Sequence, residues 1–114
     1  MGDFGDFIFK ILTLQEFEEL DFQSESLWPG TAFDVGDGFI HFSTKSQIKS
    51  VANRFFSSHK FIKILKFSIK DIEHPNYLKW EKGEKDSHEL FPHLYGGLDL
   101  VKCLEKIHWQ ISID

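Results

Sequence analysis

The apolar residues of the chain follow two periods, one typical of strands and one typical of helices. The strand pattern is clearest at residues 7–12, a β-branched and aromatic run that predicts a buried first strand in the centre of a sheet. Residues 61–69 predict a second long strand, whose interspersed lysines indicate an exposed face or an edge. Shorter strands are predicted at 76–81 and 91–95, and residues 100–113 hold a final strand or two.

Helical signals are concentrated in the first half of the chain. Thr13 and Glu16 have the spacing of a capping box and predict a short helix that ends near Asp21. Residues 22–37 show neither period and predict a long loop. A second capping box begins at Thr44, and the apolar stripe after it predicts a helix that buries Ile48, Val51, Ala52, Phe55 and Phe56 against a sheet. The opposite face of this helix is predicted to expose Lys45, Lys49 and Asn53.

These patterns predict one small α+β domain over residues 1–114, with residues 1–6 flexible. The class is α+β because the helices and strands do not alternate regularly, as a doubly wound sheet requires. At 114 residues, with thirteen Phe and three Trp, the chain is long enough to bury a core without disulfides or metal.

Charge and cysteine usage exclude several classes of function. The formal net charge is −5 and Arg54 is the single arginine, which argues against nucleic acid as a partner. Cys103 is the single cysteine, and it is interpreted as a small buried hydrophobe and not as a nucleophile. The N-terminus lacks the features of a signal peptide, and no apolar run approaches the ~18 residues that span a bilayer. We therefore expect a cytoplasmic protein that does not insert into membranes.

The first candidate site lies in the segment 38–44, Gly-Phe-Ile-His-Phe-Ser-Thr. If Ile40 and Phe42 point into the core, then His41 and Ser43 face a cleft beside the first turn of the helix that follows. Such a cleft suits an anion or a nucleotide phosphate. The alternative is that His41 is a structural histidine and that Ser43 and Thr44 only cap the helix.

The second candidate site lies in the segment 90–96, Leu-Phe-Pro-His-Leu-Tyr-Gly. His93 and Tyr95 are two residues apart in an extended stretch and therefore share a face. Together with His41 they would supply an acid, a base and a hydrogen-bond donor. The alternative is a buried aromatic turn. A metal site is not predicted, because the spacing of His88 and His93 in the acidic segment 84–93 would place the two rings on opposite faces of a strand.

Four segments resemble, in order and spacing, the family catalogued as domain of unknown function 952. They are 9–11, 37–44, 78–81 and 90–96, and the resemblance covers nearly the whole chain. Structures of that family are grouped with the ADP-ribosyltransferase-like fold. The resemblance thus implies a bent or split, mostly antiparallel sheet with two main helices, around a cleft that holds NAD in the active members of the fold.

The same resemblance implies roles for individual residues. His41 corresponds to the position that carries Tyr or His on the second active-site strand of the transferases. Lys10 stands where the active members place a His or Arg that holds the adenosine ribose. Glu81 and Glu89 are alternatives for the catalytic glutamate.

Two functions from different classes follow. The first is a domain that binds a nucleotide or a small anionic ligand, or an enzyme that acts on such a ligand by transferase-like or acid–base chemistry. Its catalytic residues would be His41, His93 and Tyr95, and its ligand contacts would be Lys10, Trp28, Ser43, Thr44, Trp80 and Glu81. The alternative is a non-catalytic module in which the His/Tyr cluster is structural and an exposed aromatic patch that includes Trp28 contacts a protein partner.

Overall fold

The computed structural model describes residues 6–83 and 88–111. Three α-helices and six strands occur in these residues, in the order β1 (Phe7–Thr13), α1 (Leu14–Glu18), α2 (Ala32–Asp37), β2 (Ile40–His41), α3 (Ile48–Phe55), β3 (Phe61–Ser68), β4 (Leu78–Lys82), β5 (Leu90–Leu94) and β6 (Glu105–Gln110). Residues 1–5 of the start that we predicted to be flexible lie outside the described residues, as do Glu84 and Asp86 of the acidic segment.

The strands form two antiparallel sheets of three strands each. The first sheet has the order β1-β3-β6 and the second has the order β2-β5-β4. Phe9 and Ser43 join the two sheets through a pair of backbone hydrogen bonds, both 2.8 Å long. This bridge places the first candidate site directly beside β1. The α+β class is confirmed, with two sheets where a single one was predicted.

The first sheet is covered on both sides, which explains the nearly continuous apolar character of its strands. One side packs on the second sheet through a core that includes Ile8, Leu12, Ile40, Phe42, Leu65 and Phe67. The other side packs on α3 through a second core that includes Phe9, Ile11, Ile48, Ala52, Ile62 and Ile64. Alternate residues of β1 therefore enter different cores.

The positions of β1 and β3 within the first sheet are the reverse of those predicted. The central strand is β3. Strand β1 pairs with β3 along one edge, and its other edge contacts the chain near the second sheet through the bridge between Phe9 and Ser43. The lysines of β3 neither mark an edge nor form an exposed face. They are half-buried, and their long side chains lie over aromatic rings, with Lys66 Nζ 4.2 Å from the centroid of Phe7 and Lys63 Nζ 5.0 Å from that of Phe17.

The helices differ from the predicted ones in number and in length. Helix α1 begins at the predicted capping box, in which Glu16 donates its backbone N–H to Thr13 Oγ1, but it ends at Glu18 and not near Asp21. The segment 22–37 is not all loop, because its last part forms α2. The predicted final strands are also shorter than expected, since residues 100–102 form a 3₁₀ turn before β6.

Helix α3 confirms its predicted apolar stripe only in part. Ile48 and Ala52 are buried, and Val51 and Phe56 are half-buried. Phe55 is 62% exposed, contrary to prediction, because the helix ends at this residue and its ring lies beside the Arg54 guanidinium at the surface. Lys45 and Lys49 are exposed as predicted, whereas Asn53 is half-buried. Across the described ranges, no helix is long and apolar enough to cross a membrane.

Candidate functional site

The second sheet has a polar face on which two histidines lie side by side. His41 of β2 and His93 of β5 are cross-strand partners, and their ring centroids are 5.6 Å apart. Because side chains alternate along a strand, the neighbouring Ile40 and Leu94 point to the other face, where each is only 1% exposed. The predicted division, with Ile40 in the core and His41 turned away from it, is confirmed.

Both ring nitrogens of His41 face carboxylates. Nδ1 lies 2.7 Å from Asp34 Oδ1, and Nε2 lies 2.9 Å from Asp37 Oδ2. A neutral imidazole has a single N–H, and an ionised carboxylate can only accept, so both contacts are hydrogen bonds only if the ring carries two protons. The ring of His41 is thus held between the two carboxylates.

Asp34 is the buried centre of this arrangement. Its side chain is fully buried, and its oxygens accept from Lys10 Nζ at 2.7 Å and from the backbone N–H groups of Thr31 and His41 at 2.9 and 3.2 Å. Burial by itself raises the pKa of Asp34, but the hydrogen bond from His41 and the charge of Lys10 outweigh it and hold the pKa well below its usual range. Asp34 is therefore ionised and fixes the ring of His41.

Lys10 is an internal cation and does not face the surface where a ligand would bind. It is 4% exposed, and its ammonium donates to Asp34 and, at 3.0 Å, to the backbone carbonyl of His41. Burial lowers the pKa of Lys10, and the Asp34 carboxylate opposes that shift. The expectation that Lys10 contacts a ligand is wrong in this structure, because its charge is already paired inside the protein.

Helix α2 positions both carboxylates beside His41. Its first turn is a capping box, in which Thr31 Oγ1 accepts from the Asp34 backbone N–H at 3.1 Å while Asp34 Oδ2 accepts from the Thr31 backbone N–H at 2.9 Å. The helix ends at Gly38, whose φ of 89° lies in the left-handed region that glycine adopts without steric cost. The chain then leads into β2, which brings His41 within reach of Asp34 and Asp37.

His93 has a single carboxylate partner. Its Nδ1 lies 2.8 Å from Glu81 Oε1, and the Tyr95 hydroxyl donates to the same oxygen at 2.7 Å. These hydrogen bonds, from His93 and then from Tyr95, hold the pKa of Glu81 below its usual value, and the bond to Glu81 raises the pKa of Tyr95. Nδ1 is therefore the protonated nitrogen of His93, and in the neutral ring Nε2 carries the lone pair.

The other nitrogen of His93 remains available. Nε2 makes no hydrogen bond within residues 6–83 and 88–111, although the side chain is only 6% exposed. It is also not sealed from solvent, because every fully buried side-chain nitrogen or oxygen in these residues has a hydrogen-bond partner. Burial lowers the pKa of His93, and the charge of His41 lowers it further, against the opposing effect of Glu81. The neutral ring is thereby favoured.

Aromatic rings surround the two imidazoles. Phe39 stacks on His93 with a centroid distance of 4.2 Å and lies 4.5 Å from His41 and 5.1 Å from Tyr95. Phe33 of α2 is 4.9 Å from His41 and is 66% exposed. The polar face therefore combines aromatic rings, two imidazoles and the carboxylates of Asp37 and Glu81.

Ser43 and Thr44, which the sequence placed among the ligand contacts, have structural positions. Ser43 is 4% exposed, and its backbone forms the bridge to Phe9. Thr44 donates its backbone N–H to Gln47 Oε1 at 2.9 Å, as the predicted capping box requires. These contacts fit the alternative interpretation, in which both residues organise the turn into α3.

The two tryptophans also lie away from the imidazoles. Trp28 is half-buried and packs against the core between the two sheets, and its backbone pairs with Leu98. It therefore does not form the exposed aromatic patch considered for a protein partner. Trp80 follows the alternation of β4 and points to the face opposite Glu81. Neither ring joins the cluster of Phe39, His41 and His93.

The structure separates the two candidate glutamates. Glu81 contacts His93 and Tyr95, whereas Glu89 lies 3.2 Å from Gln47 Nε2. Asp34, Asp37, Phe33 and Phe39 were not predicted as site residues. The signal that could have revealed Asp34 is the spacing of Thr31 and Asp34, a capping box with an aspartate in its last position. Within the described residues, no group of three or more His, Cys, Asp or Glu side chains is arranged to hold a metal ion.

Comparison with known proteins places this geometry in a family. Solved structures of protein CC0527 from Caulobacter crescentus are similar to the chain: a crystal structure with a TM-score of 0.67 and 28% identity, one of a double methionine variant with 0.72 and 27%, and a solution NMR structure with 0.71 and 26%. The crystal structures cover 90% of this chain and 84% of that protein, and the NMR structure covers 93% and 86%. No curated protein matches. The model of the family described as protein of unknown function (DUF952) matches residues 11–105, so the chain belongs to that family.

Proposed function

We propose that the polar face around His41 and His93 binds a nucleotide-type small molecule and performs acid–base chemistry on it. The observation that carries this proposal is the difference between the environments of two adjacent imidazoles. Both ring nitrogens of His41 lie within 3 Å of carboxylate oxygens, whereas His93 has one carboxylate partner, a lowered pKa and an open Nε2. A partly buried imidazole with a perturbed pKa and a specific carboxylate partner is typical of a group that performs acid–base chemistry.

Each residue has a role in this proposal. His93 Nε2 accepts a proton from the ligand and returns it, and the ring of His41 lies beside it as part of the site. Glu81 and Tyr95 fix the tautomer of His93, and Asp34 fixes the ring of His41. Phe39 and Phe33 provide flat contact area for a heterocyclic base.

The proposal extends to the architecture. Two three-stranded sheets joined at Phe9 and Ser43 support a split sheet of the ADP-ribosyltransferase-like kind, with NAD as the candidate cofactor that this fold implies. Glu81, close to His93 and Tyr95, is then the better candidate than Glu89 for the catalytic glutamate. The pairing of Lys10 with Asp34 removes the cation that would hold a dinucleotide in the usual orientation.

Ligand screening by thermal shift tests the proposal. The panel contains nucleosides, nucleotides, NAD and sugar phosphates, and a ligand present at a hundredfold excess over its Kd stabilises the fold by about 2.7 kcal/mol. The informative variant is His93→Asn, because the Asn amide still donates toward Glu81 but lacks Nε2. The matched control is His108→Asn, on β6 of the other sheet, where the ring stacks on Phe61.

We expect the wild-type protein and His108→Asn to bind a ligand from the panel, and we expect His93→Asn to lose that binding. If no member of the panel raises the melting temperature of the wild-type protein, the proposal is wrong. The same is true if ligand-induced stabilisation is equal in wild type and in His93→Asn.

A second candidate, a non-catalytic protein-interaction module, is favoured by the exposed apolar residues of α2. Phe33 is 66% exposed and Val35 is 59% exposed. In this function the imidazoles are structural, and a partner covers α2. A Phe33→Ser variant that loses a protein partner while His93→Asn keeps it would favour the second candidate.

A further inference from the structure

The hydrogen-bond inventory of the polar face indicates which part of a ligand can be recognised there. Apart from the exposed Lys79, the side-chain donors that the described residues place here are engaged inside the protein. Both ring nitrogens of His41 face Asp34 and Asp37, the Tyr95 hydroxyl donates to Glu81, and the Lys10 ammonium is buried against Asp34.

Acceptors, by contrast, remain available. The side chains of Asp37 and Glu81 are 44% and 40% exposed, and each uses one carboxylate oxygen in the contacts to His41 or to His93 and Tyr95. Each carboxylate therefore has a second oxygen for a ligand. The buried ring of His93 adds the lone pair of Nε2, which has no partner within the described residues although nine-tenths of this side chain is buried. This unpartnered nitrogen is the independent sign that the face is built to meet a ligand.

Among the described residues, Lys79 is an exposed cation on the same face. Lys79 is the cross-strand partner of His93 on β4, and its charge helps to lower the pKa of Glu81, after the hydrogen bonds from His93 and Tyr95. Lys79 is exposed and has a long, flexible side chain, whereas the acceptors are held by the sheet and by α2. A phosphate group has acceptors only, so at this face it would meet two carboxylates and a lone pair.

From this inventory we infer that the ligand is a nucleoside-type molecule recognised through the hydroxyl and amino donors of its sugar and base, with any phosphate pointing away from the face. This inference rests on the proposed function and names the part of the ligand that the site selects. Ribose hydroxyls and ring amino groups satisfy the free acceptors, and Phe39 and Phe33 contact the planar base. A positively charged base is favoured over a neutral one because two exposed carboxylates line the face.

The test compares matched ligands by isothermal titration calorimetry with the full chain. The four common ribonucleosides are compared with their 5′-monophosphates, and adenosine is compared with 1-methyladenosine, whose base is cationic at neutral pH. We expect each monophosphate to bind no more tightly than its nucleoside. We expect 1-methyladenosine to bind more tightly than adenosine by up to about fivefold, the contribution of an exposed ion pair, with the difference lost at high salt.

Three variants identify the groups responsible. Glu81→Gln removes the charge that favours the cationic base, so the preference for 1-methyladenosine should shrink. Glu105→Gln makes the same change on β6, where Glu105 pairs with Lys66, and it should leave the preference unchanged. Lys79→Gln should not weaken the binding of a nucleoside.

Two results would overturn the inference, and they differ in what else they affect. In the first result, the monophosphates bind at least tenfold more tightly than their nucleosides and Lys79→Gln removes this difference. The face then recognises phosphate, and the proposed function stands without this inference. If neither nucleosides nor nucleotides bind, the proposed function fails and the inference fails with it.

Discussion

His41 and His93 face each other across two antiparallel strands, yet they differ in the number of carboxylates that they contact. His41 contacts Asp34 and Asp37, whereas His93 contacts Glu81 alone. About fifty residues separate the two histidines along the chain, and the β2–β5 register makes them direct neighbours. The contrast in carboxylate partners therefore comes from tertiary structure, because α2 supplies the two partners of His41 and β4 supplies the partner of His93.

The first prediction concerns the buried pair of Lys10 and Asp34. Asp34→Asn keeps the shape of the side chain but leaves the Lys10 ammonium without its counter-ion, and breaking a buried pair in this way costs about 3–5 kcal/mol. We expect a loss of that size in the free energy of unfolding measured with urea.

Two further variants test the reason for this loss. Asp37→Asn removes a carboxylate from the same helix at an exposed position, and it should cost less than about 1 kcal/mol. Adding Lys10→Met to Asp34→Asn removes the unpaired charge and should recover part of the stability. An Asp34→Asn protein as stable as wild type would show that the pair does not support the fold.

The second prediction replaces one made from the helical pattern. The apolar stripe of α3 predicts that Phe55 is buried and that Phe55→Ala costs several kcal/mol, but the ring is 62% exposed. We now expect Phe55→Ala to change the free energy of unfolding by no more than about 0.5 kcal/mol. Ile48→Ala, on the buried side of the same helix, should cost about 2–5 kcal/mol. Equal effects of the two substitutions would contradict this assignment of the buried face.

The third prediction is a pH dependence of stability that arises from His93. Because burial lowers the pKa of the folded ring, the unfolded chain binds a proton at higher pH than the folded protein does. The stabilising contribution is therefore complete above the unfolded pKa of about 6.5 and is lost as the pH falls toward the lowered folded pKa. We expect the stability difference between wild type and His93→Asn to shrink over that window in urea titrations. A difference that stays constant from neutral to acidic pH would contradict the lowered pKa.

The sequence predicted the parts of the fold that depend on local patterns. The strand at residues 7–12, the capping box at Thr13 and the alternation that buries Ile40 but not His41 all follow from side-chain spacing. The sequence did not show that β3 would be central, since strand order depends on which edges pair in three dimensions.

The site was predictable to a similar extent. Alternation placed His41 and His93 on polar faces, and the complementary chemistry of two imidazoles and a phenol led to the hypothesis that the two faces belong to one site. The partners of Lys10 were not predictable, because a lysine between two apolar residues of a strand gives no sign of the carboxylate that neutralises it. Trp28 packs against a core, whereas Trp80 is exposed on the face of β4 opposite Glu81, because an aromatic residue type does not by itself show which surface the ring joins.

The fourth prediction is that the ring nitrogens of the two imidazoles differ in their hydrogen bonds. In a ¹⁵N NMR spectrum, both ring nitrogens of His41 should show the shifts of hydrogen-bonded nitrogens, because each lies within 3 Å of a carboxylate oxygen. His93 should show a protonated Nδ1 and an unprotonated Nε2, because Glu81 accepts only at Nδ1. Glu81→Gln should weaken this preference, since an amide can either donate to Nδ1 or accept from it. Asp37→Asn should affect His41 first and leave the Nδ1 proton of His93 in place. A charged His93 ring, or a neutral one with its proton on Nε2, would remove the base that the proposed chemistry requires.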